Sequence, residues 1–156
     1  MLAYMLATLA DAEGRDWRLR SAGTHAIEDL SMSPGTLAAL EGLGELGQHH
    51  YGAHRTHQLS AHDLDWADVV LAMESAQVRH LASVNERLVS HAVAFSQFVR
   101  HAPIDEPLSA QIAAVRTLGL DDAFDVADPA IGDRASYEGC ANELWELAQA
   151  FAVVVL

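Results

Sequence analysis

The sequence predicts an α/β fold built on a parallel sheet. Short apolar runs alternate with longer segments whose apolar residues recur at helical spacing. The clearest run, Asp68-Val69-Val70-Leu71-Ala72-Met73, is apolar at consecutive positions. That is the pattern of a strand covered on both faces. A chain of 156 residues is long enough to bury one core, and no repeat, low-complexity tract or linker divides it. A single domain is therefore expected over residues 1–156.

Each element follows from local signals. Leu2, Met5, Leu6 and Leu9 give helical spacing from Met1 to Ala12, with no capping residue ahead of them. Trp17 to Arg20 alternates apolar and basic residues and reads as a short strand, ending at Ser21-Ala22-Gly23-Thr24. Ser33 as N-cap and Pro34 at the first helical position open the next helix, which carries Leu37, Leu40 and Leu43 and which Gly44 can stop. A short helix is predicted from Leu59-Ser60 to about Ala67, then the strand at Asp68 to Met73, then a helix from about Glu74 to Ala82. His91 to Phe95 is a third strand candidate, running into Gln97-Phe98-Val99. Leu108, Ile112 and Val115 mark a helix after Pro107. The last helix covers about Arg134 to Ala152, with Tyr137, Cys140, Leu144, Leu147 and Phe151 along one face.

Composition narrows the functional classes. Nine Lys plus Arg stand against 22 Asp plus Glu, a net charge of −13. Such a surface repels a phosphate backbone, so nucleic-acid binding is not expected. No apolar run reaches the length of a membrane span, and residues 1–12 lack the basic start and cleavage site of a signal peptide. The reading is a cytoplasmic protein without a membrane partner. Cys140 is the single cysteine, so an internal disulfide and a cysteine-rich zinc site are both impossible within these residues.

Three patterns invite a chemical reading and fail on context. Gly42-Leu43-Gly44-Glu45-Leu46-Gly47 matches the dinucleotide fingerprint in letters, but it closes a helix instead of joining a strand to one. A helix C-cap and a turn explain the glycines. His49, His50, His54, His57 and His62 crowd one segment, yet Gly52 interrupts it and no acid stands at a metalloprotease spacing. Asp121, Asp122, Asp125, Asp128 and Asp133 lack the alternate spacing of a calcium loop, and most read as a solvated acidic loop. No metal or cofactor is expected.

Asp128 is the exception. In Asp125-Val126-Ala127-Asp128-Pro129-Ala130-Ile131-Gly132-Asp133 the Asp-Pro step holds a carboxylate on a stiff, turned backbone, and Gly132 lets the chain bend. That suits a general acid facing a cleft, and such an acid needs a nucleophile. Cys140 does not qualify: a phosphate-binding cysteine loop requires Arg six residues on, where this chain has Glu146.

Several stretches, in order, resemble the low-molecular-weight protein tyrosine phosphatase family. They are Trp17-Arg18-Leu19-Arg20-Ser21-Ala22-Gly23-Thr24-His25, Ser31-Met32-Ser33-Pro34, His54-Arg55-Thr56-His57-Gln58-Leu59, Ala67-Asp68-Val69-Val70-Leu71-Ala72-Met73-Glu74, and Asp128-Pro129 ahead of a final helix. The resemblance runs from Met1 to about Phe151. It implies a three-layer α/β fold with sheet order 2-1-3-4. It also implies hydrolysis of phosphate monoesters on protein side chains, phosphotyrosine first, through a phosphocysteine. Asp128 matches the family's acid. Ser21 matches the serine that supports the phosphate loop, and a plain strand-end hydroxyl is the other reading. Ile27, Ala130 and Ile131 fall at cleft-wall positions.

The same resemblance marks what these residues lack. The family's C-x5-R-S-P loop sits between the first strand and the first helix, and Met1-Leu2-Ala3-Tyr4-Met5-Leu6 looks like the helix that follows it. The expectation is a chain missing the first, central strand and the phosphate loop, hence inactive as given. Strands at Trp17 to Arg20 and Asp68 to Met73 would then face a gap, and the sheet should be destabilised or rearranged. Aliphatic Ile27, Ala130 and Ile131 reduce the surface for stacking a phenyl ring. Phosphoarginine phosphatase and arsenate reductase chemistries, and a non-catalytic binding module, stand as alternatives.

Overall fold

Leu2, Met5, Leu6 and Ala10 share a helical face, and helix α1 spans Leu2–Glu13 with Met5, Leu6 and Ala10 buried. No side chain caps its start. Gly14, at φ 65°, closes it by turning its N–H onto the Ala10 and Asp11 carbonyls. The structure, a computed structural model, describes residues 1–44, 46, 49–84, 89–130 and 132–155. Its contacts gather into two units, Met1–Leu59 with Asp128–Ala152, and Ser60–Ala127 with the tail from Val153.

In the first unit the chain leaves α1 without regular structure. The Trp17 ring meets Phe151 edge-on at 5.8 Å, and the Arg15 guanidinium lies over Trp17 at 5.2 Å. The strand expected at Trp17 to Arg20 is not formed: residues 17–20 belong to no ladder among the described residues. A strand exists only against a neighbour that takes up its N–H and C=O groups, and alternation alone supplies none. What does form nearby is one parallel bridge between Gly23 and Gln58. Helix α2, Pro34–Gly42, starts as expected, with Ser33 Oγ accepting the Thr36 N–H at 3.1 Å. It ends at Gly42, and Gly44 adopts φ 63°, so the described part of the glycine triplet closes a helix. Glu45 and Gly47 lie outside the described residues. Tyr51–Ala53 makes one tight turn. Helix α7, Arg134–Val154, buries Ala141, Leu144, Leu147, Ala148 and Phe151. Tyr137 and Cys140, from the same predicted face, are only half-buried.

In the second unit helix α3, Ala61–Trp66, opens on a reciprocal cap. Ser60 Oγ accepts the Asp63 N–H, and the Asp63 carboxylate accepts the Ser60 N–H at 3.0 Å. Strands β1, Val70–Ala72, and β2, Ala92–Ala94, pair in parallel with Val70 opposite Ala92. Their short, apolar sequences and the intervening helix α4, Ser75–Val84, make the strand-helix-strand unit that the alternation predicts. Helix α5, Phe95–His101, begins directly after β2, where the sequence predicts a strand to Phe95 and no element at Gln97-Phe98-Val99. Phe95 and Phe98 are wholly buried and sit three residues apart, a helical spacing inside an apolar run too short to reveal its period. Helix α6, Leu108–Thr117, buries Ile112 and Val115. Buried amides pin the unit: Gln97 Nε2 donates to Gly119 O at 2.7 Å, and Gln111 Nε2 to Val154 O at 2.7 Å.

Candidate active site

The Asp128 carboxylate is exposed, and the chain around it is held by its own hydrogen bonds. Asp128 Oδ1 accepts the Ala130 N–H at 2.9 Å, which wraps the Asp-Pro step into an Asx-type turn. Gly132 N–H returns to Pro129 O at 2.8 Å. A Cβ at Gly132 would overlap Ser136 Cβ and lie 3.2 Å from Pro129 O, so the turn needs glycine for space as well as for bending. One Asp128 oxygen is thereby engaged with the backbone, and no hydrogen bond or ion pair within the described residues engages the other. A carboxylate so placed is open to exchange a proton with a group brought against it.

Asp133 closes the same loop and opens α7. Its Oδ1 accepts the Ser136 N–H at 3.0 Å and the Ser136 hydroxyl at 2.9 Å. These bonds hold its carboxyl below the usual aspartate value. Tyr137, one residue on, donates its hydroxyl to Ala130 O at 3.4 Å. Its ring covers Gly35 at the start of α2, where an added Cβ would stand 2.7 Å from the ring. Ring and glycine together tie the loop to α2.

Cys140 lies half-buried on α7. Burial pushes its thiol up, as do the carboxylates of Glu143 and Asp128, while the nearby α-amino group opposes them. A thiol raised in this way stays protonated at neutral pH and is a poor nucleophile. Position 146 is Glu, and the 156 residues contain no Cys-x5-Arg.

The other predicted positions divide. Ser21 is exposed and makes no side-chain hydrogen bond among the described residues. Ile27 is 71% exposed on a loop, and Ala130 is exposed beside Pro129. Ile131 lies outside the described residues. The Ile27 loop is stapled by residues to which the sequence gave no role. Thr56 accepts the Asp29 N–H on its carbonyl at 3.0 Å and donates its hydroxyl to Ile27 O. Gln58 Nε2 donates to Thr24 O at 3.0 Å, and Glu28 accepts the Gln58 N–H at 2.9 Å. Glu28 also pairs with His57 at 3.3 Å. The only sequence signal for this staple is the stretch His54 to Leu59, whose hydrogen-bonding side chains do not reveal their partners.

The histidines also find neighbours. His49 Nε2 lies 2.7 Å from Thr8 Oγ1, and the rings of His49, Tyr4, Tyr51 and His54 cluster, with Tyr4 edge-on to Tyr51 at 4.9 Å. Burial, the α-amino group and Arg55 lower the His54 imidazole, which leaves it neutral at pH 7. Among the described residues no three His, Cys, Asp or Glu side chains are placed to hold a metal. Of the acids read as a solvated loop, Asp121, Asp122, Asp128 and Asp133 are exposed and Asp125 is half-buried, and several also make defined bonds. Asp121 caps the turn at Asp122–Phe124, Asp122 pairs with Arg79 at 2.8 Å, and Asp125 accepts the Ser75 N–H at the start of α4 at 2.7 Å. The partners of Asp122 and Asp125 lie far along the chain, whereas Asp121 bonds within its own turn. No described helix is long and apolar enough to cross a membrane.

Comparison with known proteins bears on the family and the fold. The family model described as low molecular weight phosphotyrosine protein phosphatase matches residues 2–118. Among solved structures, the chain is similar to the low molecular weight protein tyrosine phosphatase from T. tengcongensis. That likeness has 27% identity and TM-score 0.74, over 96% of this chain and 86% of that one. The YwlE arginine phosphatase from Geobacillus stearothermophilus is similar at 26% identity and TM-score 0.70, over 96% of this chain and 82% of that one. Wzb of Vibrio vulnificus, solved with benzylphosphonate, shares the fold at 16% identity and TM-score 0.72, over 97% of this chain and 86% of that one. No curated protein matches the sequence.

Proposed function

Since the chain belongs to the low molecular weight phosphotyrosine protein phosphatase family, we propose that its fold serves hydrolysis of phosphate monoesters on protein side chains, with Asp128 as general acid and then general base. The observation that carries this reading is the Asp128 turn. An exposed carboxylate is held by the Ala130 N–H and stiffened by Pro129, with one oxygen turned to no partner among the described residues. In the reaction a thiolate attacks phosphorus as the bond to the leaving oxygen breaks, and Asp128 gives that oxygen its proton. Water then attacks the phosphocysteine, Asp128 takes a proton from the water, and the thiolate departs. The thiol must come from outside these 156 residues, because Cys140 is protonated and has no arginine at the required spacing. Ser21 is the proposed support of the phosphate loop, and Ile27, Ala130 and Ile131 the cleft wall. The observed pairing of β1 with β2 is compatible with the 3-4 half of a 2-1-3-4 order.

A second reading, phosphoarginine as substrate, is favoured by one feature. The residue after Asp128-Pro129 is Ala130, and Ile27 stands 71% exposed, so the wall is aliphatic and small where a phenyl ring would seek an aromatic face. The likeness to an arginine phosphatase at 26% identity supports it.

The test compares this chain with a chain extended by the codons in frame upstream of Met1. Both are assayed on an aryl phosphate and on phosphoarginine. Turnover is expected only from the extended chain, and Asp128→Asn should slow the aryl ester by about 10²–10⁴-fold, the usual worth of a general acid. The ratio of the two substrates separates the two readings. Turnover by this chain alone would show a nucleophile within it and overturn the assignment. An extended chain that acts on neither substrate would point to a binding module.

A further inference from the structure

The second unit holds a cavity of about 160 Å³ that has no part in the Asp128 site. It lies on the outer edge of β2. Val70 N–H donates to His91 O, and this sets the phase of the parallel ladder. Val93 then faces β1, and the N–H and C=O groups of Ala92 and Ala94 turn outward. Arg116 confirms the phase: its Nη1 donates to Ala92 O at 2.9 Å and to Val89 O at 2.8 Å. The walls are apolar, with Val78 and Ala82 from α4 and Val115 and Leu120 from the α6 side.

Two features make the cavity electropositive in a protein of net charge −13. Arg79 and Arg116, two of the chain's nine arginines, both line it. Arg116 uses only Nη1 on the edge carbonyls, and Arg79 only Nη2 on Asp122. Their remaining guanidinium donors have no partner among the described residues. The outward N–H groups of Ala92 and Ala94 add donors from the buried edge strand. Two guanidinium charges less the Asp122 carboxylate leave roughly one net positive charge, which matches a monoanion better than a dianion. An apolar cavity of about 150 Å³ is enough for a benzene ring. A docking strand would need the Ala92 carbonyl that Arg116 already holds.

We propose that this cavity binds a small organic monoanion, a carboxylate on an apolar body of about one ring. The carboxylate meets Arg79, Arg116 and the edge amides, while the body lies between α4 and α6. This is independent of the phosphatase reading, since none of these residues belongs to the Asp128 loop.

Benzoate is the probe, added to the full chain and followed by amide NMR. Saturable shifts are expected, largest at Ala92, Ala94 and Val115. Arg79→Gln should weaken binding about tenfold, the worth of one charge-assisted hydrogen bond. It removes only an exposed ion pair, so the fold is retained. Ala82→Phe should close the cavity to benzoate. Benzyl alcohol should bind more weakly than benzoate, and inorganic phosphate should not compete. Absence of saturation, equal binding of benzyl alcohol, tighter binding of phosphate, or indifference to both substitutions would each overturn the proposal.

Discussion

Asp128 and Asp133 share one loop and one side-chain chemistry, yet their hydrogen bonds tell them apart. Asp128 takes a single backbone N–H and leaves an oxygen open. Asp133 turns one oxygen to both donors of Ser136 and starts α7. The pH dependence of Asp133 follows from its depressed carboxyl. Above the ordinary value of 3.8 the cap is charged in folded and unfolded chains, and its stabilisation is complete. As the pH falls through the lower folded value, the cap is protonated and the stabilisation is lost. Asp133→Asn keeps an acceptor oxygen but removes the charge. It should melt below the parent at pH 7, and the gap between the two should close as the pH is taken well below 3.8. A gap that is unchanged between pH 7 and pH 3 would mean that the charge plays no part. His54 acts in the same direction nearer neutrality: its lowered imidazole favours the folded chain above 6.5 and less so below.

At the scale of elements, the turn from Pro129 to Asp133 depends on one missing carbon. Gly132→Ala would drive a Cβ into Ser136 Cβ, an atom fixed to the backbone of α7 that cannot swing aside. Overpacking of this kind costs about 1–3 kcal/mol. The predicted outcome is a lower Tm together with loss of the bond from the N–H of position 132 to Pro129 O, read by faster exchange of that amide than in the parent. Unchanged exchange would show that the loop relaxes at no cost. The elements that could be read from the sequence are those with local causes. Ser33-Pro34 announces α2, Ser60 with Asp63 announces α3, and the apolar run at Val70 announces β1. Those that could not be read depend on distant partners. Residues 17–20 alternate like a strand but have no ladder neighbour, and α5 hides its period in an apolar run directly after β2. The site divides the same way. Asp128 is visible because Pro129 follows it. Thr56, Gln58 and Glu28 become a staple only once residues 23–30 and 56–59 are side by side.

At the scale of the whole molecule, charge is the dominant long-range term. Nine arginines and no lysine face 22 carboxylates, so folding at pH 7 gathers 13 uncompensated negative charges. Salt acts on this in two opposed ways. It weakens attractive pairs such as Arg79 with Asp122 and Arg134 with Glu138, which are exposed and worth about 0–1 kcal/mol each. It also screens repulsion among the uncompensated charges, which extends over a Debye length of about 10 Å at 0.1 M. The repulsion involves many more groups than the few exposed pairs, so its relief should win. Raising NaCl from about 0.01 M to about 0.15 M at pH 7 should raise Tm, by about 2–4 °C for each kcal/mol of repulsion relieved. The control is the same titration near the sequence pI of 4.8, where net charge vanishes. There only the attractive pairs remain to be screened, and Tm should stay level or fall. An equal rise at both pH values would mean that salt works through apolar burial instead of charge. A fall at pH 7 would mean that the local pairs outweigh the net charge of the chain.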